Sequence, residues 1–318
     1  MQYTGHSRNA TKNYLDCIVT GIPHCHIEGL FVSDVVITRH GRTTVFTINR
    51  PEHMNSLGGT VKEELAAGIA ELNADPGQSV GIITGAGDRA FCAGGDLKEM
   101  AKKAAAGSSI PLSPSPDIGG VAASEKPVIA AVNGLAVAGG LELSICCDIR
   151  IASTNAWFGV FEVKRGILAG VAVNVLPRLM PMGAVMDMML SGSRLSAAEA
   201  KNLGLVQQVV EPGELMDAAL AKADMIAANS GPAVWGTKAV LKFWRDAMMA
   251  EQQRYYEAVL HRVLLSGAFL EGPRAFAEKR EPVLDHTWPD PFEQVGATTA
   301  NPPFGSPHAE HGTERSMK

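Results

Sequence analysis

The chain has 318 residues, of which 46% are hydrophobic and 19% charged, with a net charge of -5 and a pI of about 6.0. That is the composition of a globular protein with a sizeable core. It has no basic run suited to nucleic acid and no apolar run near the ~18 residues that span a bilayer, so neither nucleic acid nor membrane is expected as a partner.

Residues 1–33 show no periodicity. They lack the basic and apolar regions of a secretory signal, and Asp16 and Glu28 interrupt a transit-peptide pattern; an upstream extension from a misjudged start is the alternative. Cys17, His24, Cys25 and His26 crowd this stretch, but their spacing matches no zinc pattern, and no metal is expected. The five cysteines (Cys17, Cys25, Cys92, Cys146 and Cys147) are an odd number, and three lie in apolar surroundings. Reduced thiols in a cytoplasm fit better than a disulfide framework.

Regular patterning begins at Asp34. DVVITRH and TTVFTIN are β-rich runs joined across Gly41-Arg42, which predicts a hairpin. Residues 60–74 carry apolar side chains at helical spacing, and Asp75-Pro76 ends them. SVGIITG, 79–85, is a buried strand, and a helix is predicted over 96–105. The Ser-, Pro- and Gly-rich run 108–120 predicts a mobile loop. KPVIAAVNG, 126–134, is a second buried strand, GLELSICC opens a helix, and IRIAS is again strand-like. From 181 helix signals dominate: 181–190, 196–203, 213–229, 233–247, 250–266 and 272–280, with one short strand at 205–210. The pattern divides the chain into an irregular extension (1–33), an α/β core (34–195), a helical region (196–285) and a tail with little apolar content, predicted disordered (286–318). No internal repeat is evident.

Gly85-Ala86-Gly87-Asp88-Arg89-Ala90 matches the G-x-G-x-x-A dinucleotide fingerprint, but its context opposes that reading. The expected helix does not open directly behind it, and the acidic residue expected about 20 positions on is missing.

FCAGGDL and VAGGLEL each place a Gly-Gly pair before a helix. Helix N-termini offer unpaired N–H groups, and glycine lets a substrate approach the backbone. One N–H from each loop would grip a single carbonyl oxygen and stabilise negative charge developing there. The plainer alternative makes both pairs helix-start turns. Glu142 falls in the first turn of an apolar helix and Glu162 between Phe161 and Val163. Either could be a structural acid, Glu142 complementing the helix dipole or pairing with an Arg such as Arg150, and Glu162 exposed near Lys164 and Arg165. If both face inward, burial raises their pKa values toward neutrality and suits them to proton transfer beside the gripped carbonyl. One carboxyl activates water while the other moves a proton at the α-carbon. That is the chemistry of hydrating, or shifting, a double bond conjugated to a carbonyl.

GAGDRAFCAGGDLKEM, KPVIAAVNGLAVAGGLELSICCDIRIA and FGVFEVKRGILAG, together with INRPEHMNSL, LSAAEAKNLGLVQQVV and EGPRAFAEKREPV, resemble the crotonase superfamily of enoyl-CoA hydratases and isomerases over roughly residues 34–285. The resemblance implies an α/β fold of repeated β-β-α turns with C-terminal helices that drive formation of a homotrimer or homohexamer. It implies an oxyanion hole from the N–H groups of Gly95 and Gly139, Glu142 activating water, and Glu162 protonating the α-carbon. Ala93, Asp96, Leu97 and Lys98 would lie along the coenzyme A segment, and Gly170 near the thioester. The acyl-CoA thioester is the expected substrate, and no cofactor is expected beyond its coenzyme A. Val171-Ala172-Val173-Asn174-Val175 departs from the family's Gly-rich stretch and Thr-Gln-Arg, and Phe161 stands where Pro is common. Both changes bear on substrate more than on reaction class. Isomerisation is the nearest alternative activity, and a non-catalytic acyl-CoA-binding subunit is the alternative of another class. Met182, Met186, Met188 and Met189 read as core or interface packing. Tyr255 or Tyr256 could face an interface or the acyl pocket.

Overall fold

In the computed structural model, the residues described are 33–105, 117–247, 249–265 and 267–283. The cysteines and histidines of the leader, the loop from 108 to 116 and the tail from 286 lie outside them. Strands β1 (Val35–His40) and β2 (Thr43–Ile48) pair antiparallel across Gly41. Its φ of +57° is one that glycine adopts without strain. Helix α1 (Val61–Ala74) buries Val61, Leu65, Ile69 and Leu72 along one stripe and stops at Asp75, before Pro76.

From there the chain repeats one unit three times. Strand β3 (Val80–Gly85) leads to β4 (Ala90–Cys92) and helix α2 (Leu97–Ala105). Strand β5 (Val128–Val132) leads to β6 (Leu135–Val137) and α3 (Gly139–Cys146). Strand β7 (Ile149–Ser153) leads to β8 (Trp157–Gly159) and a single 3-10 turn, Glu162–Arg165. The longer strands enter a six-stranded sheet, order β1-β2-β3-β5-β7-β10, parallel except for β1. The short ones enter a four-stranded sheet, order β4-β6-β8-β9, in which β4, β6 and β8 run parallel. Here β9 is Arg194–Ser196 and β10 is Gln208–Val210. The repeat is geometric and leaves little trace in residue identity. The strands of the smaller sheet are three residues long, too short to show a period, so the sequence pattern predicts none of them.

Alternation across the large sheet splits the core in two. Val80 and Ile82 of β3, Ile129 and Ala131 of β5 and Ile151 of β7 pack on Leu215, Ala219 and Ala223 of helix α7. Phe46, Ile83, Ala130 and Val132 face the opposite side, with α1, the small sheet and α3. The remaining helices are α4 (Val171–Val175), α5 (Met182–Ser191), α6 (Ala197–Asn202), α7 (Leu215–Ala227), α8 (Gly231–Asp246), α9 (Met249–Leu265) and α10 (Ala268–Ala277). Ser196 and Glu199 form a reciprocal cap at the start of α6. The last helix begins earlier than its sequence signal. Gly272-Pro273 suggests an N-terminus, but the break comes at Gly267 (φ +73°), and Pro273 lies within α10.

Helix α8 buries no residue of its own. It is held by Lys238, whose ammonium donates to Asp148 at 2.7 Å and to the Lys126 carbonyl at 2.9 Å. Its outer face exposes Val240, Leu241, Phe243 and Trp244. On α5, Met188 is buried and Met189 packs on the core, while Met182 and Met186 are exposed. No helix among the described residues is long and apolar enough to cross a membrane.

Candidate active site

Because β4, β6 and β8 are parallel neighbours, their C-terminal ends lie side by side. Just past those ends come Gly95, Gly139 and Glu162 respectively. The topology therefore brings together three residues separated in sequence by up to 67 positions.

The two glycine pairs lie against each other. A Cβ on Gly139 would stand 3.6 Å from the Gly95 nitrogen and 3.4 Å from Gly94 Cα. Gly94 has φ +85°, and a Cβ there would come within 2.9 Å of the Gly139 nitrogen. A Cβ on Gly140 would be driven into the Cys92 carbonyl at 1.9 Å. Gly94 and Gly140 thus permit the close approach that brings the backbone of Gly95 near that of Gly139. Neither the Gly95 nor the Gly139 N–H donates to another described residue. Between them, Ala138 holds φ +51° and ψ -128°, a strained conformation for a residue with a Cβ. It is held by its N–H on the Gly159 carbonyl (2.9 Å) and by its carbonyl, which accepts from Glu142 N–H (3.0 Å).

Glu142 occupies the first turn of α3. Its Oε1 accepts from the Ala172 N–H at 3.0 Å, and the N–H groups of Val171 and Gly170 also favour its charged form. Burial outweighs these donors and raises its pKa. Arg150 does not pair with it. That guanidinium donates to the carbonyls of Leu205, Ser144 and Cys147, which closes the C-terminal end of α3. The departure at 171–175 becomes intelligible here: this apolar stretch is α4, whose start presents its N–H groups to Glu142.

Glu162 opens the 3-10 turn after β8. Its Oε2 is buried and has no hydrogen-bond partner among the described residues. Burial first, and the charge of Glu142 second, push its pKa up to about 8. The reading of Glu162 as an exposed acid near Lys164 and Arg165 does not hold, because its Oε2 is buried. Lys164 lies over the Phe161 ring and Arg165 over Phe276. Phe161 itself folds back over Gly159, where a Cβ would meet its ring at 2.7 Å, and packs on Trp157.

Ala93 and Leu97 are half-buried, while Gly95 and Lys98 are exposed. The Asp96 carboxylate is turned to the protein, accepting from Lys98 and Glu99 N–H at the start of α2 and from Arg50. Gly170 caps α4. The structure also separates the two tyrosines. Tyr255 is 75% exposed, whereas Tyr256 is buried with its hydroxyl 3.4 Å from the Leu168 carbonyl. Burial, with Glu142 and Glu162 nearby, lifts its pKa to about 12, so it remains a neutral hydroxyl. Nothing in the local sequence distinguishes Tyr256 from its neighbour.

The Gly85-Ala86-Gly87 turn leads into strand β4 and not into a helix, so no helix N-terminus faces it. No group of three metal-ligating side chains occurs among the described residues.

Set against known proteins, residues 39–287 match the family profile described as Enoyl-CoA hydratase/isomerase. The chain is 41% identical over 240 residues to the (E)-benzylidenesuccinyl-CoA hydratase of Thauera aromatica, covering 75% of this chain and 93% of that protein. It is 35% identical over 253 residues to a probable enoyl-CoA hydratase of Mycobacterium bovis, covering 79% and 98%. Among solved structures, carnitinyl-CoA hydratase from Mycobacterium avium superposes with a TM-score of 0.70 at 33% identity, covering 80% of this chain and 99% of that one.

Proposed function

This chain belongs to the enoyl-CoA hydratase/isomerase family, and on that basis we propose that it adds water across the double bond of an α,β-unsaturated acyl-CoA thioester. The thioester oxygen lies between the N–H groups of Gly95 and Gly139, which stabilise the enolate charge as it forms. Water sits between the two carboxyls. Glu142, with three N–H groups directed at it, is the better seat for negative charge and takes a proton from water as its oxygen attacks the β-carbon. Glu162, protonated at neutral pH, delivers a proton to the α-carbon. One O–H bond and the π bond break; a C–O and a C–H bond form. The proton on Glu142 returns to Glu162 to close the cycle. The reaction is redox-neutral and calls for no cofactor beyond the coenzyme A of the substrate.

The observation that carries this reading is the asymmetry of the acid pair: one carboxyl cradled by backbone donors, the other buried with an unpartnered oxygen. A double-bond isomerase needs only one proton shuttle, and a non-catalytic binder needs neither acid. Mass spectrometry of enoyl-CoA thioesters incubated with the enzyme in ¹⁸O-water, with proton NMR of the recovered thioester to locate its double bond, separates the three. Hydration adds the mass of one labelled water, isomerisation moves the double bond at constant mass, and a binder returns its ligand unchanged.

The exposed apolar faces of α8 and α5 support a homotrimer or homohexamer. Light scattering should give three or six protomers, and a Trp244→Asp, Leu241→Asp variant should fall to smaller species. Buried, unpaired Cys92, Cys146 and Cys147 are compatible with a cytoplasmic protein.

A further inference from the structure

Arg50, in the loop after β2, is 7% exposed, and its guanidinium joins three segments. Nη1 donates to the Ser56 carbonyl at 3.1 Å and to its hydroxyl at 3.2 Å. Nη2 donates to Asp96 Oδ2 at 3.3 Å and to Glu99 Oε1 at 3.2 Å, while Nε lies 3.6 Å from Asp34 Oδ1. His53, 44% exposed, lies 3.9 Å from Asp96 on the outer side of the cluster.

These partners bracket Gly95. Asp96 follows it directly and fastens the start of α2 through the N–H groups of Lys98 and Glu99. Ser56 precedes Leu57, whose N–H donates to the Gly94 carbonyl at 2.7 Å and whose Cδ1 stands 3.1 Å from the site of a Gly139 Cβ. Glu99 also accepts from Gly59 N–H at 3.0 Å. The cluster has no slack: a Cβ on Gly58 would lie 2.4 Å from Arg50 Nη1 and 2.7 Å from Asp96 Cβ. Asp34, Asp96 and Glu99 converge on this one guanidinium. Without it they repel one another, and the chain on the far side of Gly95 is pushed off the 56–59 loop.

We propose that Arg50 is a positioning residue for the oxyanion hole, holding the Gly95 N–H where it meets the thioester oxygen. The inference rests on the hydratase reading. A planar guanidinium satisfies all of these acceptors at once, which an ammonium cannot do.

The test uses full-length Arg50→Met and Arg50→Lys with 4-dimethylaminocinnamoyl-CoA, a conjugated thioester whose absorbance shifts to the red when its carbonyl is polarised. Wild type should bind the probe with a red shift. Arg50→Met should lose the shift and about 10²-fold in kcat, the effect of displacing a reacting group by an ångström, with probe affinity within about threefold. The alkaline limb of the pH profile should stay in place, because Arg50 does not act on Glu162. Arg50→Lys should recover part of both shift and kcat. If circular dichroism shows Arg50→Met unfolded, Asp96→Asn replaces it, since it keeps an oxygen for the helix cap but weakens the ion pair; its red shift should also shrink. A folded Arg50→Met or Asp96→Asn with the full red shift and wild-type kcat overturns the inference. Absence of hydration and of red shift in wild type overturns the hydratase reading itself.

Discussion

Replacing Glu162 with Gln tests whether this carboxyl is a buried acid, independently of any substrate. Its ordinary value of 4.5 rises to about 8 in the folded chain. Between those two values the folded protein keeps a proton that the unfolded chain releases, so stability falls as pH rises through this window. The loss is about 1.4 kcal/mol for each pH unit, up to about 5 kcal/mol once pH exceeds the folded value. Gln has the same shape and no charge, so Glu162→Gln escapes that loss. Urea denaturation of both proteins at pH 5, 6, 7, 8 and 9, at one protomer concentration, should show the variant's advantage growing through the window and levelling off above about pH 8. An advantage that does not change with pH would refute the burial argument and remove the basis for Glu162 as an acid at neutral pH.

Four further outcomes follow from the same geometry. Glu142→Gln should cost about 10² to 10⁴-fold in kcat while binding of a saturated acyl-CoA, measured by calorimetry, persists. In wild type, kcat/KM should fall as pH rises through about 8, as Glu162 gives up its proton. Tyr256→Phe should keep that alkaline limb and lose no more than about 1 kcal/mol of stability in urea denaturation, since its hydroxyl makes one long hydrogen bond and does not ionise in this range. Gly140→Ala should lower the thermal midpoint through a loss of about 1 to 3 kcal/mol or more, because its methyl group meets the Cys92 carbonyl.

Much of this was legible in sequence because the relevant physics is local. The buried strands β3, β5 and β7, the stripe on α1 and the helix after Gly139 all announce themselves in a few residues. So do the two Gly-Gly pairs and the two acids in apolar company. The rest depends on contacts distant in sequence. The small sheet consists of three-residue strands without a period, yet it sets Gly95, Gly139 and Glu162 side by side. The donors that seat Glu142 come from α4, thirty residues on, in a stretch whose composition reads only as apolar. Tyr256 comes near the acids from a C-terminal helix, where sequence alone could not separate it from Tyr255. Arg50 lies in a loop motif, and its partners emerge only when Asp34, Ser56, Asp96 and Glu99 are folded around it.

The most direct measurement is the loss of conjugated-thioester absorbance over a panel of α,β-unsaturated acyl-CoA substrates, with wild type, Glu142→Gln and Glu162→Gln in parallel. The two-carboxyl mechanism predicts hydration by wild type and its abolition in both variants, each still binding CoA thioester. Wild type that binds these thioesters and leaves every absorbance unchanged, or a glutamine variant that hydrates at the wild-type rate, would contradict it.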